Sequence, residues 1–127
     1  MLSETEAMQK DILALALAGD GVWTLYVRER LIKKHDLKAG ALSAKVKGFV
    51  NAAAQCKMLY AVKDTLTEAE RDIVRRARNA HTSSRAKNAT LDEYKKATAL
   101  EALLGYLYLT GQKARLDEIL QLCYGEV

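Results

Sequence analysis

Proline is absent from this 127-residue chain, and phenylalanine and tryptophan occur once each. No ring therefore interrupts a helix on covalent grounds, and these shortages, beside abundant Ala, Leu and Lys, point to an all-α protein. The two cysteines, Cys56 and Cys123, form no metal-ligand or redox motif and no disulfide framework. Reduced thiols in a cytoplasmic protein are the expectation. No apolar run approaches membrane-spanning length, and the acids Glu4, Glu6, Asp11 and Asp20 do not suit a signal or transit peptide. The charge of +4 is a modest excess. It points to a polyanionic partner only where the cations cluster. Half of the residues are hydrophobic, which suits a single domain over 1–127 with a real core.

The most apolar stretch is Ala97 to Gly111. Leu100, Leu103, Leu104 and Leu107 recur at helical spacing, and most other positions are small or apolar. A helix that is greasy nearly all round belongs inside a protein. Glu101 sits in its midst, with Thr98 one turn before it and Gly105 and Tyr108 following on the same face. The missing side chain at Gly105 lets another backbone approach closely. A buried carboxylate there needs a cation, a metal or several donors; otherwise it reaches solvent or a neighbouring Lys.

Eighty residues earlier lies a stretch of similar build. Ser3-Glu4-Thr5-Glu6 offers a cap with acids in the first turn, and apolar residues from Ile12 to Tyr26 keep one phase through Gly19-Asp20-Gly21. The pattern predicts one helix from that cap to about Lys34, passing through the glycines. Asp20 shares its face with Leu13, Ala16, Leu17, Trp23 and Val27, a second carboxylate on an apolar face. Equally, glycine neighbours suit an Asp that caps one of two shorter helices.

His35 reads as a solvated helix end, and Lys38 to Ala41 as a connection. A helix is predicted from about Leu42 to Lys63 on the spacing of Val46, Phe49, Val50, Ala53, Ala54, Lys57, Met58 and Ala61. Thr67 and Glu70 form a capping box that opens the next one. The charge pattern then changes. Arg71, Arg75, Arg76, Arg78, Arg85 and Lys87 face one acid, Asp72, and the segment from Asn79 to Ala89, with Asn88 near its end, reads as an exposed loop. Such a segment can grip a phosphate backbone or be a solvated turn. Thr90 caps the long apolar helix, Gly111 ends it, and a last helix packs by Leu116, Ile119, Leu120 and Cys123.

Two acids at opposite ends of the chain make sense together if their helices cross. Facing carboxylates raise each other's pKa unless a cation lies between them, and an oxygen-seeking ion such as Mg²⁺ resolves the conflict. A Mg²⁺ site beside a basic loop points to phosphodiester chemistry.

The chain resembles the ribonuclease III family, and within it the short Mini-ribonuclease III branch. The resemblance is carried by Leu15-Ala16 to Gly19-Asp20-Gly21-Val22-Trp23, Leu25 to Arg28, Val50-Asn51-Ala52 with Gln55-Cys56-Lys57, Leu66-Thr67-Glu68, Asp72 to Ala80, Lys87-Asn88-Ala89 and Tyr94 to Gly111. It implies an all-α, ribonuclease III-like endonuclease domain working as a homodimer without a separate double-stranded-RNA-binding domain. The implied activity is hydrolysis of double-stranded RNA with Mg²⁺, or Mn²⁺ in its place, to give 5′-phosphate and 3′-hydroxyl ends. The branch trims the ends of the precursor of large-subunit (23S) ribosomal RNA. By position, Asp20 and Glu101 are the implied catalytic and metal-binding acids, and Arg75, Arg76, Arg78, Asn79, Arg85, Lys87 and Asn88 the RNA-binding set. Leu17, Val22, Trp23 and Tyr26 are the expected interface or near-interface core residues. Full-length members carry further acids where this chain has Ala16 and Thr98, and Thr24 also replaces an acid. Two other readings stay open: a duplex-RNA binder of the same fold that does not cleave, and a helical protein-interaction adaptor.

Overall fold

The computed structural model describes residues 1–80 and 90–125. The segment 81–89, with Arg85, Lys87 and Asn88 of the expected RNA-binding set, lies outside the described residues. Among the described residues the chain is all-helical: α1 Glu4–Met8, α2 Ile12–Lys34, α3 Ala39–Val46, α4 Ala52–Val62, a 3₁₀ turn Lys63–Thr65, α5 Glu68–Arg78, α6 Leu91–Leu109 and α7 Lys113–Gly125. None of these helices is long and apolar enough to cross a membrane.

Helix α6 is the axis of the fold. Thr90 opens it as N-cap of a full capping box with Glu93, and Gly111 ends it at φ 70°, a left-handed conformation that glycine adopts without steric cost. From Ala97 to Leu107 its residues are buried, save Thr98 and Glu101, which are half-buried. Helices α2, α4, α5 and α7 all pack on it. Its most extensive contact is with α2. A methyl group on Gly19 would collide with the backbone carbonyl of Glu101, and one on Gly105 with that of Leu15. The two backbones therefore touch where both glycines lie, at a helix-propensity cost of about 1 kcal/mol each.

Helix α2 runs unbroken through Gly19-Asp20-Gly21, as the phase of its apolar residues predicts. Its beginning is different. The Ser3–Glu6 capping box opens only the short α1, and Asp11 then caps α2 by accepting the Leu13 N–H at 3.3 Å. The short first helix is strapped to the end of α6: the Tyr106 hydroxyl donates to Glu4 at 2.9 Å, and the Leu2 N–H to the Leu109 carbonyl at 2.8 Å.

The single helix expected over Leu42 to Lys63 is also two, and the expected connection at Lys38 to Ala41 already contains the first turn of α3. Two side chains hold the break open. Asn51 caps α4 by accepting the Ala54 N–H at 2.8 Å. Trp23, fully buried, donates its indole N–H to the Phe49 carbonyl at 2.9 Å. The new start shifts the buried face of α4 to Gln55, Met58, Leu59 and Val62, leaving Ala53 and Lys57 exposed. Of the expected interface or near-interface core residues, Trp23 is thus in the core, whereas Leu17 is 76% exposed.

Helix α5 begins with the anticipated Thr67–Glu70 box. Glu70 is buried, and Arg115 of α7 grips it through two hydrogen bonds of 2.9 and 3.0 Å. Burial pushes this carboxyl up, but the Arg115 and Thr67 hydrogen bonds outweigh it and hold Glu70 below the usual range.

The crossing sets a stability test. Gly19→Ala and Gly105→Ala should each cost about 3 kcal/mol or more, because the added carbon meets rigid backbone. Gly40→Ala adds a methyl that meets nothing and should be neutral or stabilising by up to about 1 kcal/mol. Denaturant midpoints measure all three, and similar midpoints would mean that the helices do not depend on this contact.

Candidate functional site

The touching glycines fix where two carboxylates lie. Asp20 follows Gly19 directly in α2, and Glu101 is the α6 residue whose carbonyl faces Gly19. The crossing brings the Asp20 and Glu101 side chains within hydrogen-bonding range of each other. Their environments differ, since Asp20 is exposed while Glu101 is half-buried. Asp20 is therefore neither buried nor a cap, but a mid-helix residue at the mouth of a small polar site.

Glu101 carries the electrostatic strain. Burial first, then the hydrogen bond and negative charge of Asp20, push its carboxyl up to about 8. The opposing influence is the Gln55 amide of α4, whose Nε2 donates to Glu101 Oε2 at 3.5 Å. Among the described residues no Lys, Arg or His forms an ion pair with either acid.

The donor set is thus two carboxylates and one amide, with open solvent beside Asp20. It contains no cluster of three or more His, Cys, Asp and Glu side chains among the described residues. A set of oxygens carrying excess negative charge fits a hard divalent cation that keeps several waters, the habit of Mg²⁺. The positions of the missing acids contribute little. Ala16 is buried beside the crossing, and the Thr98 hydroxyl donates to the Tyr94 carbonyl of its own helix at 3.0 Å.

Gln55 is the site residue that sequence reasoning passed over. Its signal was a polar side chain on the apolar face of α4, masked because the expected helix had the wrong start and hence the wrong phase.

The basic residues divide by role. Arg71, Arg75 and Arg78 are exposed along α5. Arg75 pairs with Asp72, and Arg71 donates to the Leu66 carbonyl at 2.6 Å. Arg76 is half-buried and leans on the sulfur of Met8. Arg78 makes no ion pair among the described residues, at the end of α5 where Asn79 is the C-cap. On α2, Leu17, Gly21, Leu25 and Ile32 leave an exposed, mostly apolar stripe at helical spacing. Gly21 and Leu25 also line a groove of about 770 Å³ with Val22, Tyr108, Gly111 and Leu120.

Residues 13–112 match the Ribonuclease III domain family. The chain is 43% identical over 115 residues to Mini-ribonuclease 3 of Brevibacillus brevis, covering 91% of this chain and 86% of that one. It is also 43% identical to Mini-ribonuclease 3 of Symbiobacterium thermophilum, over 86% of this chain and 84% of the relative. The fold matches the crystal structure of protein FN1578 from Fusobacterium nucleatum with a TM-score of 0.83 at 31% identity, covering 90% and 93% of the two chains.

The acid pair makes stability depend on pH in an unusual direction. Glu101 titrates near 8 in the folded protein against an ordinary value of 4.5, so between these values the folded state holds a proton that the unfolded state has released. Metal-free protein should therefore lose stability as pH rises from about 5 to about 8. Glu101→Gln should remove this decline. Thermal melts at pH 6 and pH 8 should show it as a drop of several degrees, and flat melting temperatures in the parent chain would contradict the pairing.

Proposed function

This chain belongs to the ribonuclease III family and to its Mini-ribonuclease 3 branch, and from that premise we propose that Asp20 and Glu101 together hold Mg²⁺ for hydrolysis of double-stranded RNA. That it is an endoribonuclease follows from the family. The observation that carries the site assignment is the juxtaposition of two carboxylates with no basic partner among the described residues, one of them pushed up to about 8.

The residues divide the work. Exposed Asp20 meets the RNA side of the site, while half-buried Glu101 is held by the core of α6 and cannot swing away. Held by these two carboxylates, a divalent ion would supply positive charge to offset that of the scissile phosphate and would lower the pKa of a water. In the hydrolysis the water oxygen bonds to phosphorus as the bond to the 3′ oxygen breaks, and a proton from the water ends on that departing oxygen, giving 5′-phosphate and 3′-hydroxyl ends. Asp20 and Glu101 are the two carboxylates among the described residues that would hold the ion, with water as its other oxygen source.

Arg75, Arg78 and Asn79 at the exposed end of α5, with Arg85, Lys87 and Asn88 beyond it, form the proposed duplex grip. Phosphate contacts of this kind fix register and orientation without reading bases. Arg76 joins them only by leaving Met8. The proposed substrate is the precursor of large-subunit ribosomal RNA in the cytoplasm. Sequencing the 5′ ends of that precursor with and without the protein tests this choice, and unchanged ends would refute it.

Two copies are proposed to associate through the α2 stripe. Exposed Leu17, Leu25 and Ile32 and the adjoining groove supply the apolar area. Sedimentation at micromolar concentration should give about twice the 14.1 kDa chain mass, and Leu25→Asp should shift it toward the monomer. A parent chain that sediments only as 14.1 kDa would exclude the dimer.

Asp20→Asn and Glu101→Gln should each abolish cleavage of a duplex RNA in Mg²⁺ while keeping the fold and duplex binding. Arg78→Gln should do the reverse, weakening binding and lowering the slope of log affinity against log salt by about one. Substantial cleavage by either acid variant would relocate the metal site. Cleavage-inactive parent protein that still binds duplex would favour the non-cleaving reading.

A further inference from the structure

We infer that Gln55 is a positioning residue for the carboxylate pair, its buried amide fixing the Glu101 carboxylate so that it faces Asp20 across the α2–α6 crossing. The inference rests on the site assigned above and extends it to a third helix.

Gln55 is 3% exposed, one of two buried polar or charged residues among those described. The other, Glu70, is satisfied by Arg115 and by its own helix cap. Burying a primary amide is unfavourable unless its polar atoms find partners, and the neighbours of Gln55 on that face of α4 are Met58, Leu59 and Val62. A leucine or methionine would serve this packing better. The one side-chain hydrogen bond that Gln55 makes among the described residues is the donation to Glu101 Oε2. Its polarity is thus explained by Glu101 and by nothing else in the core.

Charge explains why an amide stands there. A lysine or arginine in its place would neutralise Glu101 permanently and compete with a metal. A glutamate would add a third negative charge to a pair that already repels. A neutral donor orients the carboxylate and leaves its charge available. Rigidity completes the case. Helix α4 is capped by Asn51 and anchored by fully buried Met58 and Val62, so the amide is presented from a fixed element. At 3.5 Å the hydrogen bond is long.

Gln55→Met keeps the volume and removes the donor. Outer-shell partners of ligands commonly affect metal affinity by about 10- to 100-fold. The variant should accordingly bind Mn²⁺ at least about tenfold more weakly, read by electron paramagnetic resonance of free Mn²⁺ without RNA, and need correspondingly more Mg²⁺ for half-maximal cleavage. Duplex affinity in EDTA should not change. If Gln55→Met does not fold, Gln55→Asn withdraws the amide by one methylene and should show the same two shifts. Parent-like Mn²⁺ binding and Mg²⁺ requirement would overturn the inference. So would a cleavage loss that is equal at every Mg²⁺ concentration with unchanged Mn²⁺ affinity, the mark of a packing role. Asp20→Asn and Glu101→Gln run alongside: if these still bind Mn²⁺ and cleave, the site assignment itself fails, whereas their loss beside a parent-like Gln55→Met removes only the role of Gln55.

Discussion

The contact between two glycines, Gly19 of α2 and Gly105 of α6, is the constraint on which this structure depends. Backbone meets backbone there, and neither position has room for a methyl group. Each glycine weakens its own helix, and both are offset by the apolar surface that the crossing buries around Leu15, Leu103 and Leu104. Because the helices touch at that point, the residues beside the glycines have no freedom of placement. Asp20 and Glu101 are adjacent to it. Their proximity is a consequence of packing rather than of any attraction between them.

Two carboxylates forced together by a close-packed core make a site poised for a cation. In water the pair would separate; here the core of α6 prevents Glu101 from doing so, and the unfavourable charge is expressed as a proton held up to about pH 8. The same region is poor in alternatives. Ala16 adds no oxygen, and the Thr98 hydroxyl donates to its own helix. Gln55 of α4 supplies one donor. The carboxylate pair and its neutral donor come from three packed helices, Asp20 from α2, Gln55 from α4 and Glu101 from α6.

The remaining charged and apolar groups sort by whether the core uses them. Arg115 is consumed by Glu70 and the Thr65 carbonyl, Arg76 by Met8. Among the described residues Arg78 makes no ion pair, and the apolar side chains of Leu17 and Leu25 are exposed. Which of these surface groups the core uses is decided by packing between distant elements and not by the local sequence pattern.

Much of the fold was legible in the chain itself. An α6 apolar on all sides must be central, since only burial on every face satisfies it. The Thr67 and Thr90 capping boxes mark helix starts through short-range hydrogen bonds, and the unbroken phase through Gly19 to Gly21 marks one helix. These are local regularities. The breaks after α1 and α3 were not legible, and the second depends on the Trp23 indole taking the Phe49 carbonyl from 26 residues away. That break set the phase of α4, which hid Gln55. The exposure of Asp20, the burial of Trp23 and the Glu70–Arg115 pair were likewise decided by tertiary structure. A helical pattern states which residues share a face, whereas which face meets another helix, and which acid is left beside water, is settled only when distant elements pack.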